Sequence, residues 1–203
     1  MLHISKGLGL IEMGSSRSDK AASHRRIVEI AAAHMRQDGI DGVRVAEVMS
    51  EAGLTHGGFY RHFESRDELI SEALVLALEE GSERSRSAAE NPGPRALRAV
   101  IKGYLSTTHR DSPSTGCAVA AMAEDVSRSN PTLRELFENQ VLQYIELLER
   151  LQEATEGLES PMATLTLSAI VGAVNLARAV NDEELSLRIL RETAESLTEM
   201  LNI

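Results

Sequence analysis

The chain has no tryptophan, and only six of its 203 residues are aromatic, three phenylalanines and three tyrosines. Its core must therefore be built largely from aliphatic side chains. Hydrophobic residues make up 42% of the sequence, enough to fill one large domain or two small ones. A single cysteine, Cys117, excludes an intramolecular disulfide framework and a cysteine-rich zinc site, and it fits a reducing cytoplasm. With only five prolines and fourteen glycines, gathered at a few points, neither a disordered chain nor a repeat array is indicated.

Positive charge is also scarce: 21 Lys and Arg stand against 31 Asp and Glu, for a net charge of −10. That balance excludes a globally basic nucleic-acid binder. The acid is unevenly placed, however. Residues 1–75 carry 9 basic and 11 acidic residues, and residues 76–203 carry 12 and 20. Any DNA contact must come from a local face in the first third. The opening MLHISKGLGLIEMGSS has one lysine, Lys6, and an apolar stretch broken by glycines and Glu12, so residues 1–22 read as a flexible tail rather than a secretory signal. The uncharged run 160-SPMATLTLSAIVGAVNLA-177 is short and interrupted by Pro161, hydroxyls and Asn175, which suits a buried core helix rather than a membrane span. A phosphate-binding glycine loop, HExxH and GxSxG are all missing. The reading is therefore no enzyme, no catalytic residues, no cofactor and no metal.

What is present is helical periodicity. Ser23 is positioned to cap a first helix over 24–38 ending at Gly39, and 44-RVAEVMSEAG-53 gives a second helix of about two turns. Gly53-Leu54-Thr55 forms a tight connection, with Thr55 as cap of a third helix to about His62. Two short helices on a glycine turn give the helix-turn-helix outline. Ser65 and Glu68 have the spacing of a capping box and open a long fourth helix towards residue 88. Breaks at 91-NPGP-94 and 111-DSPSTG-116 then separate helices near 95–110, 117–129, 131–155, 161–180 and 182–201, with Pro131 behind Asn130 at a first helical position. The fold class is all-α with about nine helices.

The stretch 53-GLTHGGFYRHF-63 poses a local problem. It contains half of the aromatic residues, Phe59, Tyr60 and Phe63, behind two adjacent glycines that each cost a helix about 1 kcal/mol relative to alanine. Phe59 and Phe63, four apart, share the face that packs on the first two helices, while His56, Tyr60 and Arg61 point elsewhere. Gly57 and Gly58 then read as a device for close backbone approach, the alternative being a poorly formed helix start tolerated by packing.

With its flanks, AGLTHGGFYRHFESRDEL, this stretch resembles the recognition-helix signature of TetR-type bacterial transcriptional repressors. Gly53, Leu54, Thr55, Tyr60, His62, Phe63, Arg66 and Leu69 match position by position, and the match covers about residues 24–75. His56 stands where lysine or glutamine is common and Arg44 where threonine often opens the second helix. Both departures bear on which DNA sequence is read. The resemblance implies a three-helix DNA-binding domain over 23–69, joined by the long helix to an effector-binding and dimerisation domain over 70–203. It further implies a homodimer on a palindromic double-stranded operator, released by a small molecule.

On that reading the DNA face comprises Arg44, Thr55, His56, Gly57, Gly58, Tyr60, Arg61, His62 and Arg66. His56 is the candidate for base readout, Tyr60 and His62 for phosphate, Arg61 for either, and Arg44 and Arg66 as clamps on the backbone. Arg17, Lys20, Arg25 and Arg26 suggest a flexible basic arm. Tyr104, Met122, Phe137, Tyr144, Asn175 and Arg178 are the candidates for an effector site, plain core being the alternative for the apolar ones. Ala169, Ala173 and Ala177 form a small-residue stripe, and Leu187, Leu190, Ala194, Leu197 and Leu201 form a seam, which suit either an ordinary core or a homodimer face. A thiol-responsive regulator using Cys117, and a helical interaction protein that reads no DNA sequence, are the alternative functions.

Overall fold

In the computed structural model the described residues are 17–88, 90, 92–154 and 162–203, the side chains of 84, 85 and 88 excepted. Of the tail expected over residues 1–22, residues 1–16 lie outside them, as does Pro161, and residues 17–22 belong to a helix. Among the described residues there are nine α-helices and no strand: α1 Arg17–Asp38, α2 Val45–Glu51, α3 Arg66–Ala88, α4 Pro94–Tyr104, α5 Thr107–Asp111, α6 Ala118–Ser127, α7 Pro131–Glu153, α8 Ala163–Ala179 and α9 Glu183–Met200. Short 3-10 turns occupy Ile40–Gly42, His56–Arg61 and Pro113–Thr115.

Several helix ends follow directly from residue chemistry. Gly39 and Gly53 take φ of +79° and +75°, the left-handed conformation that ends a helix at glycine. Leu54 N–H reaches back to the Met49 carbonyl at 2.9 Å and closes α2. Ser65 Oγ accepts from Glu68 N–H (3.2 Å), and the Glu68 carboxylate accepts from Glu64 N–H, so α3 opens on a variant of the expected capping box. Asn130 Oδ1 accepts from Leu133 N–H at 3.0 Å ahead of Pro131.

Three expectations fail. Ser23 is not a cap: α1 begins at Arg17, six residues earlier, so Arg17, Lys20, Arg25 and Arg26 ride on a helix rather than a flexible arm. The expected helix over 95–110 divides at Leu105, because Ser106 turns outward and its hydroxyl caps α5 by accepting from His109 N–H at 3.1 Å. The third helix is a single 3-10 segment, and Thr55 makes no side-chain cap there; only its carbonyl is used, by Gly58 N–H at 2.9 Å. A six-residue 3-10 turn carries little macrodipole, so nothing at this segment rests on one.

The N-terminal core is made by Ile27, Ala31 and Met35 of α1, Val48 and Met49 of α2, and Phe59, Phe63 and Leu69. Phe59 and Phe63 are buried with ring centroids 5.4 Å apart, as their four-residue spacing requires. Each contributes roughly 1.5–3 kcal/mol by leaving water. In the C-terminal part, α7, α8 and α9 bury Leu148, Leu151, Ile170, Val174, Leu190 and Leu197. Gln152, itself buried, ties α7 to α8 by donating to Thr166 Oγ1 (3.1 Å) and accepting from Met162 N–H (2.6 Å). No helix among the described residues is long and apolar enough to cross a membrane.

Polar links join the N-terminal helices to the rest, among them His24 of α1 with Glu72 of α3 at 2.7 Å. Arg36, buried on α1, donates to Glu80 of α3 at 2.9 Å and to the Ser114 carbonyl. The Asp125 carboxylate of α6 accepts from Ile40 N–H at 2.9 Å, beside Gly39.

Candidate nucleic-acid interface and cavity

The segment His56–Arg61 sits on the N-terminal domain with its two functions separated. Phe59 is fully engaged below, whereas Tyr60 is 74% exposed and His56, Gly57 and Arg61 are also exposed. Neither glycine has a reason inside its own chain. Neither has a positive φ, a Cβ at Gly57 would meet nothing within 4 Å, and one at Gly58 would make only ordinary contacts of 3.6 Å with Met49 and Thr55. The chain gives up about 1 kcal/mol of local propensity at each position while gaining no internal packing from it. What the two residues provide is bare backbone at an exposed surface.

The arrangement around them sorts the other sequence candidates. Thr55 is exposed, and Arg44 is exposed with its guanidinium 3.0 Å from Glu47, a surface pair that solvent screens. His62 is half-buried, its Nδ1 buried without a hydrogen-bond partner, and its ring lies 6.0 Å from that of His24. Burial, then the neighbouring His24, Lys20 and Arg61, hold the imidazole below its ordinary value. Lys20 is thereby brought from the start of α1 to the edge of the recognition segment, a placement that only the early start of α1 makes possible.

Arg66, expected as a clamp on the DNA backbone, has partners within its own chain. Its Nη2 donates to the Ile40 carbonyl at 2.6 Å and its Nε to the Val43 carbonyl at 3.1 Å. The side chain therefore fastens the α1–α2 connection to the head of α3. Sequence spacing identified the position but not the two carbonyl partners, which come from residues more than twenty positions earlier.

A cavity of about 380 Å³ lies between α3, α4, α7 and the segment leading into α6, lined by Tyr104, His109, Cys117 and Tyr144 among others. Of the six effector candidates, Tyr104 and Tyr144 line it. Arg178 stands behind it, donating to the carbonyls of Arg110 (3.0 Å) and His109 (2.7 Å). Met122 is wholly buried and Phe137 half-buried, and neither lines this cavity. Asn175 lies on the exposed side of α8, one helical face away from the interior. His109 is not among the effector candidates read from the sequence, because the helix break at Leu105 that brings it to the wall was not anticipated.

Comparison with known proteins then decides what the N-terminal domain is. The sequence model for bacterial regulatory proteins of the tetR family matches residues 27–73, the span from mid-α1 to mid-α3. The chain is a TetR-type transcriptional regulator. The HTH-type transcriptional repressor KstR2 of Rhodococcus jostii is 25% identical over 177 residues, covering 87% of this chain and 78% of that protein. A TetR transcriptional regulator from Chloroflexus aurantiacus superposes with a TM-score of 0.76 at 24% identity, over 90% of this chain and 97% of that one. A regulator from Saccharomonospora viridis, solved in complex with choline, superposes with a TM-score of 0.65 at 19% identity, over 88% and 96% of the two chains. These relatives of the TetR-type regulator are transcription factors rather than enzymes.

Proposed function

We propose that this regulator is a cytoplasmic repressor that binds a palindromic operator as a homodimer and leaves it when a small molecule occupies the C-terminal domain. The observation that carries the DNA reading is the pair of exposed Gly57 and half-buried Gly58, neither required by internal packing, set among His56, Tyr60 and Arg61. Bare backbone permits close approach to a duplex, His56 is placed for a base edge, and Tyr60, Arg61, Lys20 and His62 form the phosphate side. Arg44 joins them at the rim. Arg66 acts as a positioning residue.

The dimer reading is supported by α8. Its outward side presents Leu165 (50% exposed), Ser168, Ala169, Gly172, Asn175, Leu176 (59% exposed) and Ala179, with no charge among them. The leucine seam of α9 is largely satisfied within one chain, since Leu190, Leu197 and Leu201 are buried, so the free apolar groups of that helix are Leu187 and Met200. Together these form a largely apolar face, with Glu192 beside Leu165 and Met200, that a second copy would cover. The effector reading rests on the cavity at Tyr104 and Tyr144.

Selecting bound duplexes from a random DNA library tests the whole. The expected result is an inverted repeat bound by two chains, with mass measurement in solution showing a dimer before DNA is added. Recovery of no enriched sequence, or a monomer at micromolar concentration, would overturn it.

A further inference from the structure

We propose that the cavity beside α4 binds an uncharged, largely apolar molecule carrying a carbonyl-type oxygen, which the Tyr104 hydroxyl anchors. This names the chemistry of the effector put forward above; its consequence for DNA rests on that reading, while the binding itself does not.

The cavity is closed on one side by Tyr144 and Cys117, both buried, and by Tyr104, whose Oη is buried and makes no hydrogen bond. A phenol hydroxyl left alone in the interior carries a standing desolvation penalty that a ligand oxygen would remove. Burial, and after it the neighbouring Cys117, push the pKa of Tyr104 well above its ordinary value, so the group keeps its proton and can donate. The Cys117 thiol and the Tyr144 hydroxyl stand 3.9 Å apart next to it. The thiol is the donor of that pair, so Tyr104 Oη is the hydroxyl of this wall left to donate, and a carbonyl oxygen is an acceptor that can receive it.

No Asp, Glu, Lys or Arg lines the wall. The one ionisable ring besides the tyrosines, His109, has its protonation pattern fixed by backbone. Its Nδ1 faces the Tyr104 carbonyl at 2.7 Å and must donate, and its Nε2 faces Cys117 N–H at 3.0 Å and must accept. An imidazole in that arrangement carries no charge. Arg178 directs Nε and Nη2 at the two carbonyls behind this ring. An anionic or cationic ligand would therefore lose its hydration without a counter-charge in the wall, and a neutral one would not. At the mouth, Gly103 is exposed and a Cβ there would meet nothing within 4 Å, so entry is open.

The test is calorimetric titration of the full chain with four matched naphthalenes: 2-acetylnaphthalene, 2-ethylnaphthalene, 2-naphthoate and a naphthylmethyl trimethylammonium salt. The ketone is expected to bind roughly 5–10-fold tighter than the ethyl compound, the worth of one neutral hydrogen bond. Both charged probes should bind more weakly than the ethyl compound. Tyr104→Phe, which removes one oxygen, should abolish the ketone's advantage and leave the hydrocarbon's affinity unchanged. Gly103→Phe should weaken both neutral probes by closing the mouth. The proposal is overturned by equal binding of ketone and hydrocarbon, by a ketone preference that survives Tyr104→Phe, by tighter binding of either charged probe, or by no binding of the neutral pair. The selected duplex is titrated in parallel. Tyr104-dependent ketone binding that leaves DNA affinity unchanged upholds the site and rejects release by effector, whereas intact DNA binding with no ketone preference rejects the site alone.

Discussion

The glycines of the recognition segment and those of the cavity stand in opposite relations to their own chain. At Gly57 and Gly58 an added Cβ would meet open space or ordinary contacts. At Gly81 it would lie 2.5 Å from the Tyr144 hydroxyl, and at Gly116 about 3.1 Å from the His109 ring. Gly81 and Gly116 are therefore accounted for by intramolecular packing, whereas the recognition glycines, and Gly103 at the mouth of the cavity, are not. A glycine that its own fold does not require, on an exposed surface, points to something outside the fold, and at this position the candidate is DNA.

The sharpest way to break this comparison is Gly57→Leu. The expected outcome is a loss of operator affinity of about 100-fold or more, near 3 kcal/mol, measured by fluorescence anisotropy with a labelled duplex. Stability should stay within about 0.5 kcal/mol of the parent, as for an exposed change without internal contacts. A variant that binds DNA normally, or that unfolds, would show that Gly57 serves its own chain after all.

Arg66→Ala comes next and separates clamp from fastener. Loss of two hydrogen bonds from a charged donor to carbonyls should cost on the order of 2–3 kcal/mol in urea unfolding. The logarithmic dependence of DNA affinity on salt should keep its slope, because no phosphate contact is removed. If the slope instead falls by about one ion with stability unchanged, Arg66 touches DNA. A steep slope in the parent chain is itself expected despite the net charge of −10, since counterion release depends on the local basic edge at Lys20 and Arg61.

These cases also mark what could be read from sequence. Local chemistry was legible at several places where partners lie within one turn, the left-handed glycines 39 and 53, Ser65 with Glu68, Asn130 ahead of Pro131, and the burial of Phe59 and Phe63, but not at the caps expected of Ser23 and Thr55 or the one made by Ser106. Polar side chains whose partners come from distant sequence were not. Arg66 reaches carbonyls at 40 and 43, Arg178 reaches 109 and 110, and Arg36 reaches 80 and 114. Periodicity also cannot choose between the two sides of an uncharged helix, which is why Asn175 was assigned inward and lies outward. The same limit makes the α9 seam look like an interface when most of it packs within one chain.

A third change works on the cavity half of the comparison. Gly81→Ala pushes a methyl against the Tyr144 hydroxyl, an overpacking expected to cost about 1–3 kcal/mol. Gly103→Ala, in the helix α4 with nothing near its Cβ, should instead gain about 0.5–1 kcal/mol from helix propensity. Thermal melts of the two variants should therefore move in opposite directions. Equal shifts would show that the cavity glycines do not differ in packing, and the contrast with Gly57 would lose its meaning.

The smallest expected effect concerns two histidines, one in each region. Both ring nitrogens of His109 face backbone partners, whereas His62 has a buried Nδ1 with none. Burial of His62, with His24, Lys20 and Arg61 alongside, sets its folded value below the ordinary 6.5. The unfolded chain then takes up a proton at this position before the native one does. The His62 contribution to stability is accordingly undiminished above pH 6.5, declines as pH falls from there to the folded value, and levels off below it. The informative quantity is the difference between the parent and His62→Gln in urea midpoint between pH 7.5 and 5.5, in which the contributions of groups common to both chains cancel. The parent should lose ground relative to the variant as the solution is acidified, and NMR titration should place His62 below 6.5. A His62 resonance titrating at or above that value would mean that its ring is solvated, and the free edge of the recognition segment would then extend one residue deeper than the buried nitrogen indicates.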